Sequence, residues 1–304
     1  MHITHNILMI RPARFMYNAQ TAINNSFQQA SDDSSVHEKA AEEFDAFVHL
    51  LRSKKINVTV IQDTEKPFTP DSIFPNNWVS FHEDGTVFLY PMFAENRRLE
   101  RKPHVLKNIA EKFFIQTTTD LSYFEDQHKF LEGTGSMVLD RHSHIAYACL
   151  SQRTDKQVLN EWCEKNKYQA IGFHANDTSG NPIYHTNVMM CVADEYAIVC
   201  MESISDEAEK KVVESSLSAS QKRIITISID QMNHFAGNML QVENTDAEKF
   251  LVMSSQAYQS LTYEQRAILE KLNPIIHSDL STIEKNGGGS ARCMMAEIFL
   301  PERS

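Results

Sequence analysis

Hydrophobic and polar positions along the chain sort into long amphipathic stretches separated by short apolar runs. Five stretches repeat apolar residues every three to four positions, the mark of one buried helical face. The stretch 35–55 sets Phe44, Phe47, Val48 and Leu51 on one side and ends in basic residues that suit a helix C-terminus. It opens with Ser35 followed three residues on by Glu38, the pattern of a capping box. The stretch 102–114 carries Val105, Leu106, Ile109 and Phe113, and 154–166 carries Val158, Leu159 and Trp162. A fourth helix is predicted from Ser205 over 205–217. A fifth covers 261–272, where Thr262 and Gln265 make a second capping box.

The runs between these helices read as strands: 7–10, 57–61, 87–91, 136–140, 144–150, 187–192, 196–200, 224–228, 239–242, 250–254, 274–278 and 293–300. Many are continuously apolar, as expected of strands covered on both faces. The helix starts fall near 35, 102, 155, 205 and 262, at intervals of 67, 53, 50 and 57. Five α/β units of similar length point to a structural repeat. Periodicity alone does not separate a ring of repeats from an open doubly wound sheet. The candidate loops, 62–72, 174–185 and 286–290, are short, so a single domain over 1–304 is expected.

Composition narrows the class of function. The chain has 304 residues, 42% hydrophobic and 23% charged, ordinary for a soluble globular protein. A formal net charge of −11 disfavours nucleic acid and anionic membrane as partners. No apolar stretch approaches the roughly 20 residues of a membrane span, and the first residues are too polar for a signal peptide. Five cysteines at 149, 163, 191, 200 and 293, an odd number with no CxxC pair, fit free thiols in a reducing compartment, and the expected location is cytoplasmic.

Candidate chemistry is scattered. Cys293 ends "GGGSARC", where three glycines let the backbone approach a ligand and Arg292 favours thiolate. The competing reading is a flexible turn before an inert buried cysteine. There is no Gly-Lys-Ser/Thr, which excludes a phosphate loop, and no HExxH or Cys/His zinc spacing. His185 stands just before an apolar run in "NPIYHTNVMM", and Glu132 before two glycines in "FLEGTGSMVLD". Alone, His185 reads more readily as a structural histidine than a catalytic one, and Glu132 reads also as an exposed acid in a turn. Arg97, in "AENRRLERK", and Arg153, in "CLSQRTD", read in isolation as solvated charges. "TPDSIFPNNWVSF" places one acid, Asp71, beside two amides, Asn76 and Asn77. The segment 21–27 is a guess for a loop over a site. Asn238, in "HFAGNML", is read first as a structural turn, with a place close to the centre as the other reading.

In order and spacing, "PDSIFPNN", "LEGTG", "HTN" and "GGGSARC" resemble the guanidine-modifying enzymes: the amidinotransferase, arginine deiminase and dimethylarginine dimethylaminohydrolase superfamily. The resemblance spans nearly the whole chain. "DSIFPNNWVSFH", "LYPM" and "NRR" are similar to its citrulline-utilisation hydrolase branch. The resemblance implies an α/β fold of pentein type, a propeller of five ββαβ-like units around a central site. It implies Cys293 as nucleophile, His185 as general acid and base, and Glu132 as the carboxylate that holds substrate nitrogen or orients the site. Asp71 would bind the planar head group, and Arg97 and Arg153 the substrate α-carboxylate, which suits a guanidinium fork. The partner would be a small amino acid, with no metal or organic cofactor required; a homo-oligomer is left open.

The chain departs from the pattern informatively. Dimethylarginine hydrolases carry an acidic pair where Asn76 and Asn77 stand, and arginine deiminases an Asp where Asn187 stands. A guanidinium is a cation with donors only, whereas a ureido group is neutral and has an acceptor oxygen. Amides can donate to that oxygen and carboxylates cannot. The expected substrate is therefore citrulline, with Asn76, Asn77 and Asn187 as candidate donors. The alternatives are a guanidine hydrolase acting on arginine or methylated arginine, an amidinotransferase, a non-enzymatic binding protein on the same fold and, more weakly, a Cys–His–Asn protease without its local signatures.

Overall fold

The computed structural model describes residues 3–31 and 33–303. Its strands form five three-stranded sheets. In each, the middle strand is antiparallel to one neighbour and parallel to the other, and a helix makes the crossover that a parallel return requires. Val79–Phe81, Thr86–Leu89 and Thr117–Asp120 form one sheet, crossed over by the helix Pro103–Lys112. Val138–Asp140, Ile145–Cys149 and Gln169–Phe173 form the next, with Lys156–Asn166. Met190–Val192, Tyr196–Val199 and Arg223–Thr226 follow, with Glu207–Ala219. Then come Leu240–Glu243, Lys249–Ser254 and Ile275–Ser278, with Tyr263–Leu272. The remaining sheet joins the two ends of the chain. Asn6–Arg11 and Asn57–Gln62 flank the helix Val36–Ser53, but the antiparallel partner is Ala296–Glu297.

The architecture is thus a propeller of five ββαβ units, closed by the last strand. The antiparallel first strands of neighbouring units touch: Ala296–Glu297 meets Val79–Phe81, and Met190–Val192 meets both Val138–Asp140 and Leu240–Glu243. Those strands therefore surround the axis. The helices cover the outside and bury the faces their periodicity predicts: Phe44, Phe47 and Leu51 in one, Val158, Leu159 and Trp162 in another. Among the described residues no helix is long and apolar enough to cross a membrane.

Three strands lie outside the predicted runs: Val79–Phe81, Thr117–Asp120 and Gln169–Phe173. Thr117–Asp120 contains no apolar residue and is held by backbone pairing at a sheet edge, so hydropathy could not reveal it. Three predicted strands lose their first residues to the turn before them. The run 136–140 keeps Val138–Asp140 after Gly133–Ser136, 187–192 begins in the helical turn Thr186–Met189, and 293–300 begins in the 3₁₀ turn Ala291–Met294 before a two-residue strand.

The two expected capping boxes diverge. Thr262 accepts from the Gln265 N–H, and the Gln265 side chain accepts from the Thr262 N–H. Ser35 makes no such bond; its hydroxyl donates to Asp33 Oδ1 at 2.6 Å, so the neighbouring acid captures the cap. Thr262→Ala should cost about 0.5–2 kcal/mol in urea unfolding, and Ser35→Ala less than about 0.5 kcal/mol. Equal losses would contradict this assignment of the caps.

Candidate active site

Each axial strand is preceded by a short turn, and each turn carries a polar residue inward. Asn77 ends the 3₁₀ turn before Val79–Phe81, and Glu132 caps the turn Gly133–Ser136. His185 caps the turn Thr186–Met189, Asn238 precedes Leu240–Glu243, and Cys293 lies in the turn before Ala296–Glu297. Residues 77, 132, 185, 238 and 293 recur at intervals of 55, 53, 53 and 55. The fold therefore converges one residue per unit on the axis. Gly135 makes the convergence possible: a Cβ there would collide with the Asn77 amide and the His185 ring.

Cys293 is 3% exposed, and two amides face its sulfur. Asn187 Nδ2 is 3.4 Å and Asn238 Nδ2 3.3 Å from Sγ. Asn238 also accepts from the Arg292 N–H at 3.0 Å through Oδ1, fixing the turn that carries the cysteine. Of the two readings of Asn238, a structural turn and a place close to the centre, the second holds: it touches the thiol. The unit interval of 53–55 residues, applied from His185, would have pointed to it. The other four cysteines are buried, and burial pushes the thiols of Cys149, Cys163 and Cys191 up to about 12.

His185 Nε2 lies 2.7 Å from Glu132 Oε2, and Arg153 Nη1 lies 3.5 Å from the same oxygen. Glu132 Oε1 accepts from the Phe93 N–H. Burial pushes the Glu132 carboxyl up, but Arg153 and the hydrogen bond with His185 prevail and hold it down at about 2. Burial pushes the His185 imidazole down to about 4, against the opposing pull of Glu132. The resting pair is a carboxylate with a neutral imidazole, whose Nδ1 is the nitrogen Glu132 does not engage.

The remaining expected residues divide between the cavity wall and the layer behind it. Asp71, Asn77, Arg97, Arg153, His185 and Cys293 line one cavity, together with Thr21, Asn25 and Gly287–Gly289. Asn76 stands behind Asn77, donating to Thr134 Oγ1 and accepting from Asn77 Nδ2. Glu132 and Asn187 also lie outside that wall. Asp71 Oδ2 accepts from Asn18 and Thr21, while its Oδ1 has no partner among the described residues. Arg97 is heavily committed: Glu100 takes Nε and Nη2 at 2.9 Å each, Asn77 Oδ1 takes Nη1, and the Phe74 carbonyl takes Nη2. The segment 21–27 closes over the cavity through Thr21 and Asn25, leaving about 10 Å³, room for roughly one water. An amino acid can bind only if this segment moves. Among the described residues no group of three or more His, Cys, Asp or Glu is placed to hold a metal.

Comparison with known proteins sets this geometry in a family. The family model described as "N,N dimethylarginine dimethylhydrolase, eukaryotic" matches residues 11–300. No curated protein matches the chain in sequence. Among solved structures, ArgZ, an arginine dihydrolase from the ornithine–ammonia cycle in cyanobacteria, superposes with a TM-score of 0.77 at 17% identity, covering 97% of this chain and 41% of that one. Its product-bound N-terminal domain gives 0.76 at 18% identity and is covered to 99%. A dimethylarginine dimethylaminohydrolase adduct with S-methyl-L-thiocitrulline gives 0.66 at 15% identity, covering 97% and 99% of the two chains. The present chain thus spans about two fifths of full-length ArgZ and nearly all of its N-terminal domain.

The neutral imidazole has a measurable consequence. In the unfolded chain His185 takes up a proton near pH 6.5, in the folded protein only near 4. The unfolded state binds more protons across that window, so stability falls as pH drops from 6.5 to 4, by on the order of 3 kcal/mol. Urea unfolding against pH should show this loss, and His185→Gln should flatten it. An unchanged slope in the variant would place the titration elsewhere.

Proposed function

The chain belongs to the N,N-dimethylarginine dimethylhydrolase family of the guanidine-modifying superfamily, hydrolases of non-peptide C–N bonds, and on that premise we propose that it hydrolyses citrulline to ornithine, carbon dioxide and ammonia through a carbamoyl thioester on Cys293. The observation that carries the substrate assignment is the charge of the cavity wall. Among the described residues Asp71 is the one carboxylate in the wall itself, beside the guanidinium groups of Arg97 and Arg153, and the groups that face the sulfur at hydrogen-bond distance are amides. Glu100 and Glu132 already pair with Arg97 and Arg153 from behind the wall, so the head group meets one acid, Asp71, and amides, which suit an uncharged urea with its acceptor oxygen better than the donor-only cation of arginine. The unpartnered Asp71 Oδ1 matches a urea N–H, and amide donors match the urea oxygen.

In the proposed sequence, the neutral imidazole of His185 takes the Cys293 proton as substrate settles. The thiolate attacks the ureido carbon, and the positive charge on His185 is stabilised by Glu132. Asn187 and Asn238, which face the sulfur, are candidates to follow the negative charge as it passes to the ureido oxygen. His185 then protonates the δ-nitrogen, the C–N bond breaks and ornithine leaves. A water gives its proton to His185 and attacks the carbamoyl carbon. The sulfur departs and regains a proton from His185, and the carbamate decomposes to carbon dioxide and ammonia. The proton that starts the cycle comes from the thiol, since the buried imidazole is uncharged at rest. Arg153 would hold the substrate carboxylate; the commitment of Arg97 to Glu100 leaves Arg97 the lesser part.

The name of ArgZ, an arginine dihydrolase, supports the alternative of arginine as substrate. Incubation with each amino acid decides between them: ornithine and ammonia should form from citrulline, not from arginine, and Cys293→Ser should form neither. Arg153→Ala should weaken citrulline binding by about 2–5 kcal/mol, read from KM. Asn76→Glu combined with Asn77→Asp should shift binding toward arginine, measured by calorimetry in the Cys293→Ser background. Failure of that double variant to bind arginine any better would remove the charge argument.

A further inference from the structure

Arg153 is 2% exposed, and its guanidinium fork is occupied by the chain itself. Asn24 Oδ1 accepts from both Nε, at 2.9 Å, and Nη2, at 2.5 Å, and the Thr21 carbonyl accepts from Nη2 at 2.7 Å. Two acceptor oxygens on the Nε–Nη2 edge reproduce the pattern in which a carboxylate meets a guanidinium. Both come from the segment that closes the cavity. Asn24 is tied in turn to Gln152 through its amide nitrogen.

The same contact separates two spaces. Outside it is an open cavity of about 320 Å³, lined in part by Ile23, Asn24 and Arg153. Inside is the closed chamber with Cys293. Asn25, Arg153 and Tyr184 belong to both walls. A ligand coming from the outer cavity therefore meets the Arg153 fork while Asn24 still holds it.

We propose that Asn24 is a specificity residue, an internal stand-in for the substrate carboxylate that must be displaced from Arg153 before an amino acid can reach the chamber. The idea rests on the reading of Arg153 as the carboxylate holder. A ligand with a carboxylate replaces the two lost hydrogen bonds with charge-assisted ones, whereas a ligand without one leaves the buried guanidinium short of acceptors. Selection for an α-carboxylate is thus made at the partition, before the head group meets sulfur.

The test uses L-ornithine, which needs no turnover, and putrescine, its counterpart lacking the carboxylate. Their dissociation constants are measured by calorimetry on the parent, Asn24→Ala and Asn24→Asp proteins. Removing the stand-in should tighten ornithine about three- to tenfold and change putrescine less than about twofold. Asn24→Asp, a charged competitor on the same fork, should weaken ornithine at least about tenfold. Weaker or unchanged ornithine binding in Asn24→Ala would make Asn24 a strut instead of a competitor and overturn the proposal, as would Asn24→Asp binding ornithine like the parent or a parent that binds no ornithine. A parent that binds ornithine but leaves citrulline intact overturns the citrulline assignment alone.

Discussion

One carboxylate oxygen, Oε2 of Glu132, lies between the imidazole of His185 and the guanidinium of Arg153, wholly removed from water. An isolated carboxylate there would be too costly to keep ionised. Arg153 keeps it charged, and the charge orients the ring whose other nitrogen remains available for proton transfer. Removing Arg153 leaves an uncompensated buried charge, the costly case for buried ion pairs. The proposed chemistry needs this arrangement at rest: a neutral base lining the same cavity as the thiol, with a negative charge ready to support imidazolium when it forms.

The propeller makes such a site possible by bringing five distant turns to one axis. No single unit contains the proposed catalytic set; Glu132, His185 and Cys293 come from three units, and the last precedes the strand that closes the ring. Closure of the ring therefore also positions Cys293, because its turn is anchored both by the pairing of Ala296–Glu297 with Asn6–Arg11 and by Asn238. From the same turns, Asn77 lines the cavity while Asn187 and Asn238 face the sulfur from outside its wall. Amides at 77, 187 and 238 replace charge with hydrogen bonding, and the cationic fork of Arg153 lies beneath the closing segment.

How much of this the sequence disclosed varies from element to element. The five helices were plain because each buries one face at helical spacing; Phe44, Phe47 and Leu51 are buried as the periodicity predicts. Thr117–Asp120 was invisible because its place is fixed by backbone pairing at an edge and not by burial of its side chains. Nucleophile, imidazole and carboxylate were each ambiguous alone and became a set only through family resemblance. Asn238 reads more readily as a turn than as a residue near the centre, although its interval from His185 repeats the others. The layering of Asn76 behind Asn77 and the capture of Arg97 by Glu100 depend on side-chain directions that spacing does not encode.

The central claim is that sulfur takes the carbon of an uncharged urea. Intact-protein mass spectrometry after rapid acid quenching tests it most directly. Mixed with citrulline, the protein should gain the mass of one carbamoyl group, located by digestion on the peptide containing Cys293. An unmodified protein in citrulline together with an amidino adduct in arginine would contradict the account.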